Sequence, residues 1–279
     1  MRLGLSAVIT SIVGLVIILG LVLMAISAPF VAPYDPTMGS LADRLTPPFW
    51  QEGGSSDHLL GTDLLGRDTL SRLIYGARTS LTVAIIAIFV AGSIGSSLGI
   101  AAGYLGGWVN TIIMRLVDLA FSFPSILLAM VLAVVFEPSF SNIILVISLV
   151  LWAEYARMAR GETLKVKEMD FVALAQVAGV SRAKIMLRHI LPNVASSLIV
   201  LATLQVGIVI IMESSLSFLG VGIPPPTPDW GSMVAEGRSY IVSAWWLSLV
   251  PGVAIVITVL SFNLLGDTLT ELLNPARQP

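Results

Sequence analysis

Cysteine is absent from these 279 residues, so no disulfide framework, thiolate nucleophile or cysteine-ligated metal site is available. Histidine occurs only at His58 and His189, too few for a histidine-rich catalytic metal centre. Charge is equally scarce. Asp, Glu, Lys and Arg make up 11% of the chain, against roughly a quarter in a soluble domain, while 56% is hydrophobic and mean hydropathy is +0.93. A net charge of -2 offers no basic footprint for nucleic acid. What is present is a composition suited to a lipid bilayer.

The gaps between charges locate the spans, each of which needs about 20 mainly apolar residues. Nothing charged lies between Arg2 and Asp35, and Leu3 to Val31 is too long for the apolar region of a cleavable leader, so it reads as a first span. The charge-free tract from Arg78 to Arg115 holds a second span that the cluster Gly103, Gly106, Gly107 and Asn110 ends near residue 103. A third is expected from about Ile112 to Phe136, carrying Asp118 and Pro124, and a short fourth from Ile143 to Tyr155. A fifth runs from Pro192 or Asn193 to Leu219 with Glu213 inside it, and a sixth from Trp246 to Leu265.

An even number of spans puts both termini on one side. With the termini inside, inner segments hold ten Lys and Arg (Arg2, Arg115, seven from Arg157 to Arg188, and Arg277), and outer loops hold five: Arg44, Arg67, Arg72, Arg78 and Arg238. The positive-inside rule then favours cytosolic termini. Trp152, Trp230, Trp245 and Trp246 fall near the expected interfaces, where an indole is favoured. Pro224, Pro225, Pro226 and Pro228 imply a stiff, extended loop.

Residues 157–188 combine seven basic with three acidic side chains around a short apolar run, Phe171 to Ala175. Gly179 suits a left-handed helix end, Ser181 can cap a second helix from Arg182 to Ile190, and Pro192 should stop it. The product is a two-helix elbow whose first limb is apolar. Two readings fit it: a helix lying in a partner's groove, or one lying flat on the membrane.

The segment FVALAQVAGVSRAKIMLRHILPNV, Phe171 to Val194, resembles the EAA loop of ATP-binding-cassette importer permeases, with Gly179 and Ile190-Leu191-Pro192 in register. It departs from the family at Ala173, where Glu is preferred, and at Leu174, where Ala is preferred. GTDLLGRDTLSRLIYGARTSL (Gly61 to Leu81), ESSLSFLGVGIPPPTPDWGSM (Glu213 to Met233) and LSFNLLGDTLTELLNP (Leu260 to Pro275) resemble the dipeptide, oligopeptide and nickel class, and the long loop after the first span resembles its C-type subunit.

That resemblance implies an all-α integral membrane protein with six transmembrane helices, the type I importer, methionine-importer-like permease fold. Its expected organisation is a first transmembrane helix over 1–31, an extracytoplasmic loop over 32–78, a core type-1 permease domain over 79–270 with a cytosolic coupling loop at 157–191, and a cytosolic tail over 271–279. The resemblance implies a second homologous permease subunit, two ATP-binding-cassette ATPase subunits and an extracytoplasmic substrate-binding protein as partners. The coupling residues it implies are Asp170, Phe171, Ala173, Leu174, Ala175, Gly179, Arg182, Arg188, His189 and Pro192. No G-x-x-x-x-G-K-[ST] cradle occurs, so no cofactor is expected in this chain, and ATP and Mg are expected in partner subunits. Import of di- or oligopeptides is favoured, with nickel complexes, glutathione and oligosaccharides as alternatives.

Glu213 and Asp118 are acidic groups in apolar segments, where an ionisable residue suggests a pathway or gating role. The structural alternatives pair Asp118 with Arg115 and let Glu213 cap a helix or meet a neighbouring permease. Asp68 and Arg72, four apart, are expected to pair; with Pro225, Asp229 and Trp230 they form a candidate docking surface for the binding protein. Gly95, Gly99 and Gly103 give a smooth helix face for close packing. Gly95-Ser96-Ser97-Leu98-Gly99 has the form of a nucleophile elbow, but it lies in an expected helix without the strand-to-helix turn such chemistry needs. His58 with Asp57 and Asp63 is too thin a set to assign as metal ligands, and His189 is read as a helix cap. A stand-alone transporter would need inverted repeats and coupling-ion sites, and none is found.

Overall fold

Hydrocarbon offers no hydrogen bonds, so an apolar run that enters it must satisfy its own amides, and here each such run is helical. The computed structural model describes the backbone of residues 5–273 and the side chains of residues 12–272. Its helices are α1 (Leu5–Val31), α2 (Thr69–Leu105), α3 (Gly107–Phe121), α4 (Ser125–Val135), α5 (Phe140–Val166), α6 (Asp170–Val177), α7 (Arg182–Ile185), α8 (Leu191–Phe218), α9 (Trp230–Gly237) and α10 (Trp246–Leu273). Among the described residues, five segments are long and apolar enough to cross a membrane, and α3 with α4 makes a sixth if that bent pair counts as one span. Arg2, Arg277 and the tail beyond residue 273 lie outside the described residues.

Four boundaries differ from expectation. Helix α2 begins at Thr69, within the expected outer loop, because Asp68 caps it and accepts a 2.7 Å hydrogen bond from Ser71 N. The third span is broken. Pro124 disfavours helical geometry at Phe123, and α3 and α4 meet at 91° across Ser122-Phe123-Pro124. At 11 residues, α4 reaches only about 17 Å. The fourth span is not short, because α5 continues past Tyr155 through its basic turns to Val166. Pro192 stops nothing. Residues Arg182–Phe218 form one continuous helical rod, with a π-turn at Met186–Ile190 in which Leu191 N bonds to Met186 O. The wide turn places Pro192, which has no N–H, in the first turn of α8, where its missing donor is tolerated.

The expected small-residue face of α2 packs against α5. A side chain at Gly95 would collide with Trp152 O, at Gly99 with Ala156 O, and at Gly103 with Thr163 Cβ at 2.8 Å. Close backbone approach of this kind replaces the hydrophobic drive that lipid cannot supply. Around that seam Ala84, Ala87, Ala91, Ile143, Ile147, Val209 and Ile210 form the buried centre, with α1 and α10 applied outside.

The two ends of the bundle are built differently. At one, the head end, the 32–68 loop, the start of α2, α9 and the start of α10 converge: Tyr34 N bonds to Ser71 Oγ, and Trp246 Nε1 to Thr62 O. At the other, the elbow end, Tyr104 near the end of α2 meets Gln176 of α6, and Thr270 of α10 shares a recess with Lys165 of α5.

Candidate functional site

The elbow starts at α6, whose cap residue Met169 supplies only backbone: Val172 N bonds to Met169 O at 2.9 Å. Asp170 occupies the first turn, where a carboxylate complements the helix N-terminus. At the far end Gly179 has φ +76°, Gly179 N bonds to Gln176 O at 3.0 Å, and Val180 N reaches Ala175 O at 3.1 Å. These are the two bonds of a Schellman end, which favours glycine at the left-handed position. Val180 also packs with Ala175, completing the motif's hydrophobic contact.

This geometry divides α6 into two faces. Val172 and Ala175 are buried with Ile100, Ala159, Val166, Ile185, Ile190 and Val194, so the limb is fastened to α2, α5 and α8. Phe171, Leu174 and Val177 point away, Leu174 at 68% and Val177 at 87% exposed, and Asp170 and Ala173 are exposed beside them. Arg182, Arg188 and Pro192 are also exposed, and His189 is half-buried with its ring 6.3 Å from that of Phe171. Because the helix continues through His189, no helix end exists there for it to cap; its carbonyl instead accepts from Asn193 Nδ2. Ser181 precedes α7 as expected, yet its side chain makes no capping bond.

At the head end, Asp68 and Arg72 do not pair. Asp68 accepts from Ser71 N, from Ser71 Oγ and from His58 Nδ1 at 3.0 Å. Arg72 bonds to Asp63, and through Nη1 (2.7 Å) and Nη2 (3.1 Å) to Glu236 of α9. Arg67 joins the same two acids, at 2.6 Å to Asp63 and 3.2 Å to Glu236. The result is a neutral four-residue network in which Asp63, Arg67 and Arg72 are at most 5% exposed. An i, i+4 rule finds only local partners, so Glu236, far along the chain, carried no sequence signal.

The expected docking surface is corrected by burial. Asp68, Arg72, Asp229 and Trp230 are each no more than 2% exposed, and of the proposed set only Pro225 faces outward. Trp230 is an internal strut: its Nε1 bonds to Leu73 O, and its ring lies where a Gly76 side chain would be. Trp246 is likewise buried, so neither is an interfacial anchor. Asp229 caps α9 through Ser232 N at 3.0 Å, and the prolines before it make a turn rather than an extended strut.

Glu213 is fully buried, accepting from Ser80 Oγ at 3.2 Å and Ser217 Oγ at 3.0 Å, with Asp229 beside it. No part of it reaches the surface of this chain, and it ties α8 to α2 and α9. Asp118 is exposed and pairs not with Arg115 but with Arg157 Nη2 at 3.5 Å. Sequence reading missed Glu154, which it placed at a span's end. The full length of α5 puts Glu154 mid-helix, bonded to Gln205 Nε2 of α8.

The nucleophile-elbow pattern lies within α2, where Ser97 Oγ donates to Ser93 O. His58 is committed to Asp68 and His189 lies beside Phe171, so neither histidine attends that serine. No cluster of metal-ligating side chains occurs among the described residues.

A family model described as binding-protein-dependent transport system inner membrane component matches residues 95–278, and one described as the N-terminal TM domain of oligopeptide transport permease C matches residues 10–48. The chain is similar to the dipeptide transport system permease protein DppC of Haemophilus influenzae, 42% identical over 265 residues that cover 95% of this chain and 90% of that protein. It is also similar to the glutathione transport system permease protein GsiD of Pectobacterium atrosepticum, 41% identical over 262 residues, 94% of this chain and 85% of that protein. A chain of the MetNI methionine ABC transporter, solved in inward-facing conformations, shares the fold with a TM-score of 0.59 at 17% identity, covering 74% of this chain and 97% of that one. The chain belongs to the binding-protein-dependent transport system inner membrane components, the permease subunits of ATP-binding-cassette importers.

Proposed function

We propose that this permease imports di- and oligopeptides, forming half of a translocation pathway with a second, homologous permease. The cargo follows the names of its relatives, a dipeptide and a glutathione permease of 42% and 41% identity over nearly the whole chain. Two ATPase subunits hold the nucleotide and Mg and dock at the elbow, and an extracytoplasmic binding protein delivers peptide at the head end. Both chain termini then lie on the ATPase side, in keeping with the excess of basic residues at the elbow.

The observation that carries the coupling role is the outward stripe Phe171, Leu174 and Val177 on a limb whose other face is fixed into the bundle. A groove that receives this stripe can push on α5 and α8 together, because α6 follows α5 closely and the elbow runs unbroken into α8. Closure of the ATPases then biases the bundle between inward-open and outward-open states, by the difference in contact free energy at the elbow. Ala173, in place of the family's usual Glu, leaves that contact mainly apolar.

Purification of the tagged chain from its membrane in mild detergent should bring with it a second permease and Walker-motif proteins; a chain that purifies alone, folded and active, overturns the assignment. Gly179→Pro removes both the left-handed geometry and the Gly179 N–H bond to Gln176 O. That variant should reach the membrane yet lose peptide uptake, and normal uptake would refute the elbow's role. Uptake of nickel complexes or oligosaccharides without peptide uptake would replace the cargo.

A further inference from the structure

The bundle contains one polar pair that neither the elbow nor the head explains. Glu154 lies near the middle of α5, one turn before the exposed Arg157, and Gln205 near the middle of α8, so the pair joins two long helices inside the bundle. Gln205 Nε2 donates to Glu154 Oε2. That contact fixes the amide's orientation, because only its nitrogen can donate to a carboxylate. Gln205 is 1% exposed, and its Oε1 has no hydrogen-bond partner. Glu154 Oε1 and the buried Gln205 Oε1 are therefore the two acceptors this pair leaves without a partner.

No Lys or Arg among the described residues lies within ion-pairing distance of Glu154. Arg157, one turn along α5, acts on Glu154 through its charge without contacting it: its guanidinium stacks on Phe121 at 3.9 Å from the ring centre and contacts Asp118 at 3.5 Å. Glu154 is half-buried and thus reachable. A recess opens at the elbow end between α5, α8 and α10, lined by Glu162, Lys165, Asn193, Ser196, Ser197 and Met158. Met158 is one turn from Glu154 on the same face of α5, so this recess lies on the elbow side of the pair.

We infer that Glu154 and Gln205 form a recognition site within the translocation pathway for a primary ammonium group, the amino terminus of a peptide in transit. An ammonium carries three donors and one positive charge, which matches two acceptors and a carboxylate that no cation touches directly. An acidic residue inside an apolar helix bundle, with a hydrogen-bonded partner and no cation in contact, is the arrangement expected of a cargo site. This inference rests on the peptide reading above.

The test is uptake of radiolabelled dialanine by the complete importer in proteoliposomes supplied with its binding protein. Wild type establishes the cargo: no dialanine uptake refutes the peptide reading itself, independently of Glu154. Given wild-type uptake, Glu154→Gln keeps shape and a hydrogen bond to Gln205 but removes the charge. It should lower uptake at least tenfold while ATP hydrolysis stays within twofold. The exchange Glu154→Gln with Gln205→Glu puts the carboxylate on the facing helix and should restore uptake to within threefold. Unchanged uptake in Glu154→Gln, as expected of a neutral acid–amide pair, overturns the inference. So does loss of the second permease from that variant, which would mean that the site holds a partner's cation, and so does failure of the exchange in an intact complex.

Discussion

The head and the elbow place their charged residues in opposite ways. At the head, Asp63, Arg67, Arg72 and Glu236 neutralise one another, and Trp230 and Trp246 donate to Leu73 O and Thr62 O, so the loops are closed by partners within the chain. At the elbow the basic residues Arg182 and Arg188 are exposed, and Phe171, Leu174 and Val177 are left without cover. Loops usually vary and move more than the elements they join, but here the long loop is anchored and the short limb presents the open surface. The head satisfies its buried charges within the chain, whereas the elbow leaves Arg182, Arg188 and the Phe171 stripe open, the surface proposed above to receive the ATPase.

The largest test of that contrast is Arg72→Met. It leaves Asp63 and Glu236 sharing only Arg67, with a net negative charge in a buried site, and should cost about 3–5 kcal/mol. Thermal unfolding in detergent should report the loss, and hydrogen exchange should place it in residues 61–72 and α9. Arg182→Met, at an exposed elbow position, should change stability by less than about 0.5 kcal/mol. Equal effects at the two sites would show that ion pairing does not close the head.

Leu174→Asp comes next. A charge in the middle of an apolar contact should weaken ATPase docking by about 2 kcal/mol, roughly 30-fold, read as loss of the ATPase subunits on co-purification. The isolated permease should unfold where wild type does, since Leu174 is 68% exposed. Val172→Asp, on the buried face of the same helix, should instead destabilise the elbow itself. If both variants behaved alike, α6 would not be two-faced.

The same contrast sets what could be read from the sequence. Five of the six spans, the glycine face of α2 and the left-handed turn at Gly179 follow from local periodicity and backbone preference, and the structure contains them, with the third span present only as the bent pair α3 and α4. Charge, the guide to boundaries, failed where distant partners neutralise it. Asp68 and Arg72 read as solvent residues, yet one caps and the other lies in the first turn of a 37-residue helix, where His58 meets Asp68 and Asp63 and Glu236 meet Arg72. Glu154 read as a span's end because nothing nearby in sequence announces Gln205, 51 residues away. Pro192 read as a stop because the π-turn that accommodates it has no compositional mark.

The smallest test concerns two serines with the same apparent signature, one toward each end. Ser139 precedes α5 with φ -159°, and its Oγ accepts from Asn142 N at 3.1 Å. Ser181 precedes α7 with extended backbone as well, but makes no side-chain bond. Ser139→Ala should therefore cost about 1 kcal/mol, the ordinary worth of a capping serine. Ser181→Ala should cost no more than a few tenths, because the four residues of α7 pass without a break into the π-turn and α8, and Ile185 and Ile190, buried below, hold the segment. Paired melting curves in one detergent would compare them. A larger loss at Ser181 in the isolated permease would mean that its hydroxyl caps α7 after all, and a loss that appears only in the assembled complex would mean that it is recruited when the ATPase docks.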